Sequence, residues 1–423
     1  MISSSVSRFV SGPTKCIALF SLAMLCALTV RGQDAVRPSL AGEEASEARV
    51  EDISRLPYNL LVGPVRFRVS ATMGIEYNDN INYAEVNKES DVIFHPQVNL
   101  DAIWPITQLN TLTLDIGLGY SIYVDHSNAN TNGLLISPHS QIAFDIFVQD
   151  FRINIHDRFS IQQDPIAEAA ISNQVDYGRF ENTGGISVLW DLNKVILTLG
   201  YDHYTYISTT SDFDYLNRNA EELSGTAAIA VSNTTNVGVE SYAVFNYYGQ
   251  NVLNDSTDYA VGGFVESQVT NNIRFRAAGG YQNINFDSGG TVMDFSDVSD
   301  YYVNLILTHR INSALRQTIS AGHENQLGVN SNSIRLNYVR HTVDWNIIRN
   351  TLLSTEFFYE DAKESGGFID EHFHRYGGAI TLGYQFTPHV TLGLRYQITN
   401  KDSDVVLRSY LQNRVSLDGT YSF

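Results

Sequence analysis

The chain is 423 residues long and carries 27 basic against 46 acidic residues, a net charge of −19, together with 24 Tyr, 21 Phe and 3 Trp. A surface this acidic excludes nucleic acid as a natural partner, and the aromatic content is too high for a disordered acidic chain. Mean hydropathy is slightly negative and no run of eighteen apolar residues follows residue 32. Spanning helices are thereby excluded and spanning strands are not, because a barrel strand turns only every second residue to lipid.

At the N-terminus Arg8 and Lys15 precede an apolar run from Cys16 to Val30 that ends in Val30-Arg31-Gly32. This pattern reads as a secretory signal peptide over residues 1–32. Its apolar run is shorter than the roughly twenty residues a spanning helix needs. Met24-Leu25 before Cys26 lacks the small residue of a lipoprotein site. Both cysteines, Cys16 and Cys26, fall inside the segment, so the mature chain is expected to hold no disulfide and no thiol. Residues 33–64 are polar and acidic (GEEASEARVEDIS), with Pro57 and Pro64 and no period. They read as a flexible periplasmic extension, long enough to serve as a plug.

From Val65 the pattern changes. Val65, Phe67, Val69, Ala71, Met73, Ile75 and Tyr77 alternate with Arg66, Arg68, Ser70, Thr72, Gly74 and Glu76, the period of a strand with one apolar and one polar face. After 65–77, similar segments recur at 91–104, 111–123, 134–148, 151–163, 178–190, 195–207, 221–231, 236–248, 257–267, 273–286, 298–310, 315–326, 333–345, 351–361, 372–386, 390–401 and 409–423. That makes eighteen strands, with sixteen as the alternative because 333–345 shifts phase near Val339. Each is long enough to cross a bilayer when tilted, whereas strands of a soluble sandwich or propeller average five or six residues.

The connections alternate between short (149–150, 191–194, 232–235, 387–389) and long (78–90, 164–177, 208–220, 287–297, 362–371), as short periplasmic turns and long external loops do. Trp104, Trp190 and Trp345 each stand just before a short turn and suit a periplasmic aromatic girdle. Tyr77, Tyr123, Tyr206, Tyr247, Tyr248 and Tyr359 precede long loops and suit an outer one. The expected fold is all-β, a transmembrane antiparallel up-and-down barrel over 65–423 in the outer membrane of a Gram-negative-type bacterium, in contact with outer-membrane lipid.

Two stretches carry a family likeness. Gly74-Ile75-Glu76-Tyr77-Asn78-Asp79-Asn80-Ile81 runs a strand into an Asn/Asp-rich loop and resembles the opening hairpin of the β-barrel porin family often associated with exopolysaccharide loci. The last strand alternates Val415, Leu417, Gly419, Tyr421, Phe423 with Arg414, Ser416, Asp418, Thr420, Ser422. Its aromatic end, Tyr421 and Phe423, resembles the C-terminal signal read by the barrel-assembly machinery. The likeness implies a porin-like protein with no defined substrate.

An eighteen-strand barrel leaves an aqueous channel unless something fills it. Arg66, Arg68, Arg375, Arg395 and Arg414 fall on the polar faces of four consecutive strands once the last strand pairs with the first. Glu222, Glu240 and Glu266 lie on the opposite strands, so a transverse field is expected, broken in places by Arg274, Arg276, Asp344 and Asp418. Opposed charges in a pore favour small hydrophilic solutes or saccharides. The third external loop, Asp164 to Tyr177, resembles the constriction loop of general porins. Its AEAA segment suits a helical turn, and its acids Asp164, Glu168 and Asp176 would face the basic wall if it folds inward.

Catalysis lacks a basis: there is no nucleophile elbow and no mature cysteine. Glu371, His372 and His374 are the best metal candidates, but the spacing supplies no third ligand, so neither a metal nor a cofactor is expected. Two functions stand: a channel for passive passage or export of small hydrophilic solutes or saccharides, and a non-conducting barrel that acts as scaffold or surface-interaction protein through its loops. Gly263, Gly279, Ala277 and Ala243 make smooth outer patches on which copies of the chain could associate.

Overall fold

The computed structural model describes residues 58–131 and 133–423; the expected signal peptide and most of the expected extension lie outside them. Eighteen antiparallel strands form the wall. They are β1 Val65–Asn78, β2 Asp91–Pro105, β3 Thr111–Gly119 with Ile122–Tyr123, β4 Leu135–Ile136 with Gln141–Val148, β5 Phe151–Gln162, β6 Arg179–Asp191, β7 Val195–Ser208, β8 Arg218–Ser232 and β9 Thr235–Tyr248. The circuit continues with β10 Ser256–Thr270, β11 Ile273–Phe286, β12 Val298–Arg310, β13 Leu315–Leu327, β14 Ser333–Ile348, β15 Thr351–Glu364, β16 His372–Gln385, β17 Val390–Ser403 and β18 Tyr410–Ser422.

Each strand pairs with its sequence neighbours, and β18 pairs with β1 from Ser70↔Ser422 to Asn78↔Arg414, which closes the barrel. Closure gives every strand two partners and removes the free edge that lipid cannot solvate. Leu60–Val62 folds back on β1 in a short hairpin, with Leu60 opposite Phe67 and Val62 opposite Val65. The described end of the expected extension is thus a continuation of the wall.

The period-2 pattern places the apolar set outside. Met73, Ile75 and Tyr77 of β1 and Val415, Leu417 and Tyr421 of β18 are exposed on the outer face, while Ser70, Asn78 and Gln412 are buried towards the lumen. Two strands expected to be continuous are interrupted. In β3 the ladder breaks at Tyr120-Ser121, opposite Pro96, which has no N–H to donate. In β4 it breaks over Ser137-Pro138-His139-Ser140. Short turns close the periplasmic end, with Gln149, Asn193 and Asn350 in the left-handed region that a tight turn demands.

The phase shift expected near Val339 does not occur. β14 keeps one register against β15 from Ile334↔Glu364 to Asn346↔Leu352. The apparent shift arises because the inward residues at its outer end, Ile334, Leu336 and Tyr338, are apolar or aromatic and pack with Ala169, Ala362 and Phe373. The lumen face is hydrophobic there because something sits on it.

Candidate functional site

What sits there is the third external loop. Asp164 caps a short 3-10 turn, Pro165–Ala167, by accepting from the Ile166 amide at 2.9 Å. The turn thus begins at Pro165, where proline's fixed φ suits it, and only overlaps the AEAA stretch. Ile166 is fully buried beside Tyr83 of the first loop, Phe358 of β15 and Tyr410 of β18. Ala170, Ile171 and Tyr177 join Tyr206, Phe213, Leu216, Leu253, Val292 and Val329 in a second cluster drawn from several external loops. A small cavity remains beneath the loop, lined by Glu168, Gln326, Leu336, Glu360 and Arg375 among others.

The loop is held to the wall of β16–β18 by cations. Arg414 donates to the Asp164 carboxylate at 2.7 Å and also to the Tyr83 hydroxyl, which in turn donates to Asp164. Arg375 donates to the Ile166 carbonyl at 2.8 Å, Lys401 to the Ser172 hydroxyl at 3.2 Å, and Arg408 to the Ala170 carbonyl. Behind them stand barrel carboxylates: Glu360 on Arg375 at 2.6 Å, Glu371 on Lys401 and Arg408 at 2.8 Å each, and Glu76 near Arg414 at 3.8 Å. Arg375, Lys401 and Arg408 each have a carboxylate outside the loop, the last two sharing Glu371. What these three offer the loop is mainly hydrogen-bond donation, whereas Arg414 takes its close counter-ion, Asp164, from the loop itself.

Burial alone would raise the Asp164 carboxyl, but the Arg414 guanidinium, the Tyr83 hydroxyl and the Ile166 amide outweigh it and hold the group below the usual carboxylate range. Burial likewise pushes the Tyr83 hydroxyl well above its ordinary value. Asp176 behaves in the opposite way. Burial raises it, and its partners are Thr210, Gly178 and Gln163 at the foot of the loop. Of the three acids expected to meet the basic wall, Asp164 does so directly and Glu168 lines the cavity next to Arg375. Asp176 stays on the side of the fourth loop.

The expected pore-lining residues all lie on lumen-side positions, but the two walls do not face each other as bare rows. Arg68 pairs with Asp101 at 3.5 Å, Arg395 approaches Glu356 at 3.8 Å, and Glu240 accepts from Arg276 at 2.8 Å and from the Tyr302 hydroxyl at 2.9 Å. Arg66 stacks over Tyr58 at 5.6 Å, and Glu222 and Glu266 also have partners. Local pairing shortens the reach of each charge, which replaces a transverse field with a lumen of alternating donors and acceptors.

Trp104, Trp190 and Trp345 are exposed on the outer face at the periplasmic end, with Trp190 stacked on Phe151 at 5.3 Å. At the same end Tyr421 and Phe423 point outward in edge-to-face contact at 5.1 Å. The outer tyrosines divide by parity. Tyr77, Tyr247 and Tyr359 face out, whereas Tyr206 is 1% exposed, bonds the Tyr177 hydroxyl at 2.7 Å and belongs to the loop core. Tyr248, next to Tyr247, packs against the same core, and Tyr123, opposite Ile93, also faces inward. Adjacent strand residues cannot share a face.

Tyr83, Glu360, Lys401 and Arg408 were not singled out by sequence. The signal that could have found the docking wall is the set of apolar residues at inward positions, Leu336, Phe358, Ala362 and Phe373. Glu371 belongs to the ion cluster described above, while His372 and His374 face the other way, out of the barrel.

A closed eighteen-strand barrel with aromatic girdles, a polar lumen and an inward third loop is an outer-membrane barrel of porin type. A family model described as "Putative beta-barrel porin 2" matches residues 60–423. The chain belongs to that family, and it is a porin channel for small solutes in a Gram-negative outer membrane. Among solved structures it is similar to a BenF-like porin from Pseudomonas fluorescens Pf-5, at 10% identity over 86% of this chain and 100% of that one, with a TM-score of 0.50. It is also similar to Pseudomonas aeruginosa OpdK with vanillate, at 10% identity over 84% and 99% of the two chains and a TM-score of 0.48. Pseudomonas aeruginosa OccK2 (OpdF) in complex with glucuronate gives 10% identity, 84% and 98%, and 0.48. At such identities the likeness speaks to the fold alone. No curated protein matches the sequence.

Proposed function

We propose that the channel passes small hydrophilic solutes, saccharides first among them, and that the third external loop is its adjustable constriction. The reading rests on one observation: the loop is tied across the lumen by four side-chain donors, three of which give their bonds to neutral carbonyl or hydroxyl acceptors. Water or sugar hydroxyls can replace such acceptors on Arg375, Lys401 and Arg408 without stranding a charge, since Glu360 and Glu371 remain in place. A polyhydroxylated solute therefore competes for the groups that hold the loop. Apolar solutes have no such exchange to offer and meet a lumen of paired charges. The resemblance to porins of exopolysaccharide loci makes oligosaccharides the cargo to try first.

The test is single-channel conductance in planar bilayers of the full barrel against a variant whose 166–172 segment is replaced by a short Gly/Ser linker. A conductance that rises on shortening, with oligosaccharide block in the parent, fits the proposal. Equal conductance in both would remove the loop from its role, and silence in both, with folding verified by heat-modifiable mobility, would favour a scaffold barrel.

A further inference from the structure

On the outer face, at the extracellular rim, three side chains converge that the channel does not use. His372 and His374 are two apart on β16 and so share a face, and Asp361 of β15 stands opposite His374 in the ladder. The Asp361 Oδ1 atom lies 2.8 Å from His372 Nε2 and 3.2 Å from His374 Nδ1. One ligand atom from each of the three residues can be chosen so that all lie within 4.8 Å of one another. We propose that Asp361, His372 and His374 form a binding site for a zinc-class divalent cation, with a fourth position open to water.

The ligand chemistry selects the metal. Two imidazole nitrogens and one carboxylate oxygen make a three-ligand set of the kind that holds Zn2+ with an exchangeable fourth ligand, whereas Ca2+ and Mg2+ take oxygen ligands almost throughout. Bonds of about 2.0–2.1 Å in a tetrahedron place ligand atoms roughly 3.4 Å apart, close to the two carboxylate–imidazole separations of 2.8 and 3.2 Å, and the imidazole pair lies within 4.8 Å. All three side chains are partly exposed, and an ion reaches them without any loop moving.

The surroundings are built to the same end. Asn337 Nδ2 donates to the other carboxylate oxygen of Asp361 at 3.1 Å, and its own oxygen is engaged by His323 Nδ1 at 2.6 Å. The carboxylate is thus oriented with Oδ1 turned to the two imidazoles, the task of an outer-shell partner. On the far side of His374, Asp402 of β17 is its ladder partner, and Asp404 accepts from the His372 amide at 2.9 Å. On the same face the opposing charges are Lys363, across from His372, and Arg335, across from Lys363. The Tyr359 ring stacks near His374 at 6.1 Å and limits its rotation.

The experiment is zinc titration of the full barrel in detergent after chelator treatment, with bound metal counted by equilibrium dialysis. The parent should hold one equivalent that H372Q and H374Q bind roughly a hundredfold more weakly, and N337A should weaken it about tenfold. H389Q, at the periplasmic end, should bind like the parent. Cobalt(II) loaded in place of zinc should give the intense visible bands of a four-coordinate site in the parent and lose them in both histidine variants. No bound equivalent in the parent, or an unchanged affinity in the folded H372Q/H374Q double variant, overturns the proposal.

Discussion

The two halves of the lumen are built from the same residue types on the same strands, yet they are organised differently. In the outer half charges are dry and tied to the loops: Arg375 and Glu360 are 1% and 2% exposed, and Lys401 and Glu371 are fully buried. In the half nearer the periplasm the pairs are wetter, from Arg68 and Asp101 at 29% and 36% exposed to Arg276 and Glu240 at 10% and 16% and Arg152 and Asp145 at 16% and 9%, although the last two close at 2.8 and 2.9 Å. The same Arg–carboxylate pairing therefore does two jobs. Where water is excluded it fixes structure, because an unpaired buried charge is very costly. Where water enters, it shapes the passage and contributes little to stability.

The sharpest way to break that contrast is Arg375→Ala. It leaves Glu360 buried without its guanidinium partner and takes the donor from the Ile166 carbonyl. Stability should fall by roughly 3–5 kcal/mol, measured by urea unfolding of the refolded barrel. Arg375→Ala and Glu360→Ala combined should recover part of the loss, since the stranded charge is then gone. A single variant as stable as the parent would mean that water reaches this pair after all.

Leu336→Ala tests the apolar side of the same surface. The side chain is buried under the third loop with Ala362 and Phe373, and its loss should cost about 2 kcal/mol, near the low end for such truncations because water can fill the gap. The loop should also become more accessible, seen as faster amide exchange over 166–172. An unchanged exchange rate would show that the cations alone hold the loop.

The wall was legible in the sequence because lipid imposes a strict rule on every second residue, and eighteen segments that obey it fall where the strands are. The rule weakens wherever lipid is not the partner. Tyr206 stands before a long loop, where an outer-girdle residue is expected, although its parity turns it into the loop core. Arg375 and Arg414 were legible as lumen residues, but their pairing with Ile166 and Asp164 joins positions 209 and 250 residues apart. No local period encodes such a contact. The apparent phase shift in β14 was the trace it left: an inward face made apolar to receive a loop.

The next prediction uses pH to separate the loop from the wall. Because Asp164 is held below the usual carboxylate range when bound, its contribution is fully present above the unbound value and is lost only as pH falls through the depressed one. The bond to Arg414 is charge-assisted but partly exposed, so its release should cost about 1–2 kcal/mol. Channel conductance or protease access at the loop should rise below the ordinary carboxylate range, and Asp164→Asn should show at neutral pH what the parent shows in acid. Asp176, raised by burial, acts with the opposite sign, favouring the packed loop at low pH and losing that effect as pH rises through its own value. A release step centred above the ordinary carboxylate range would implicate some group other than Asp164.

The smallest effect on stability is expected for Arg395→Ala, and it is informative for that reason. Arg395 reaches Glu356 only at 3.8 Å, with the two side chains 14% and 20% exposed, and water can take its place beside that carboxylate. Stability should change by less than about 1 kcal/mol. Glu356 also lies near Arg340, at 3.9 Å, so it keeps one cation within reach. What changes is the charge presented to the passage below the constriction, and removing one cation there should shift the reversal potential in a salt gradient towards cation preference. Unchanged selectivity would place the selective step at the outer constriction, whereas a large loss of stability would mean that the inner half of the lumen is as dry and as structural as the outer.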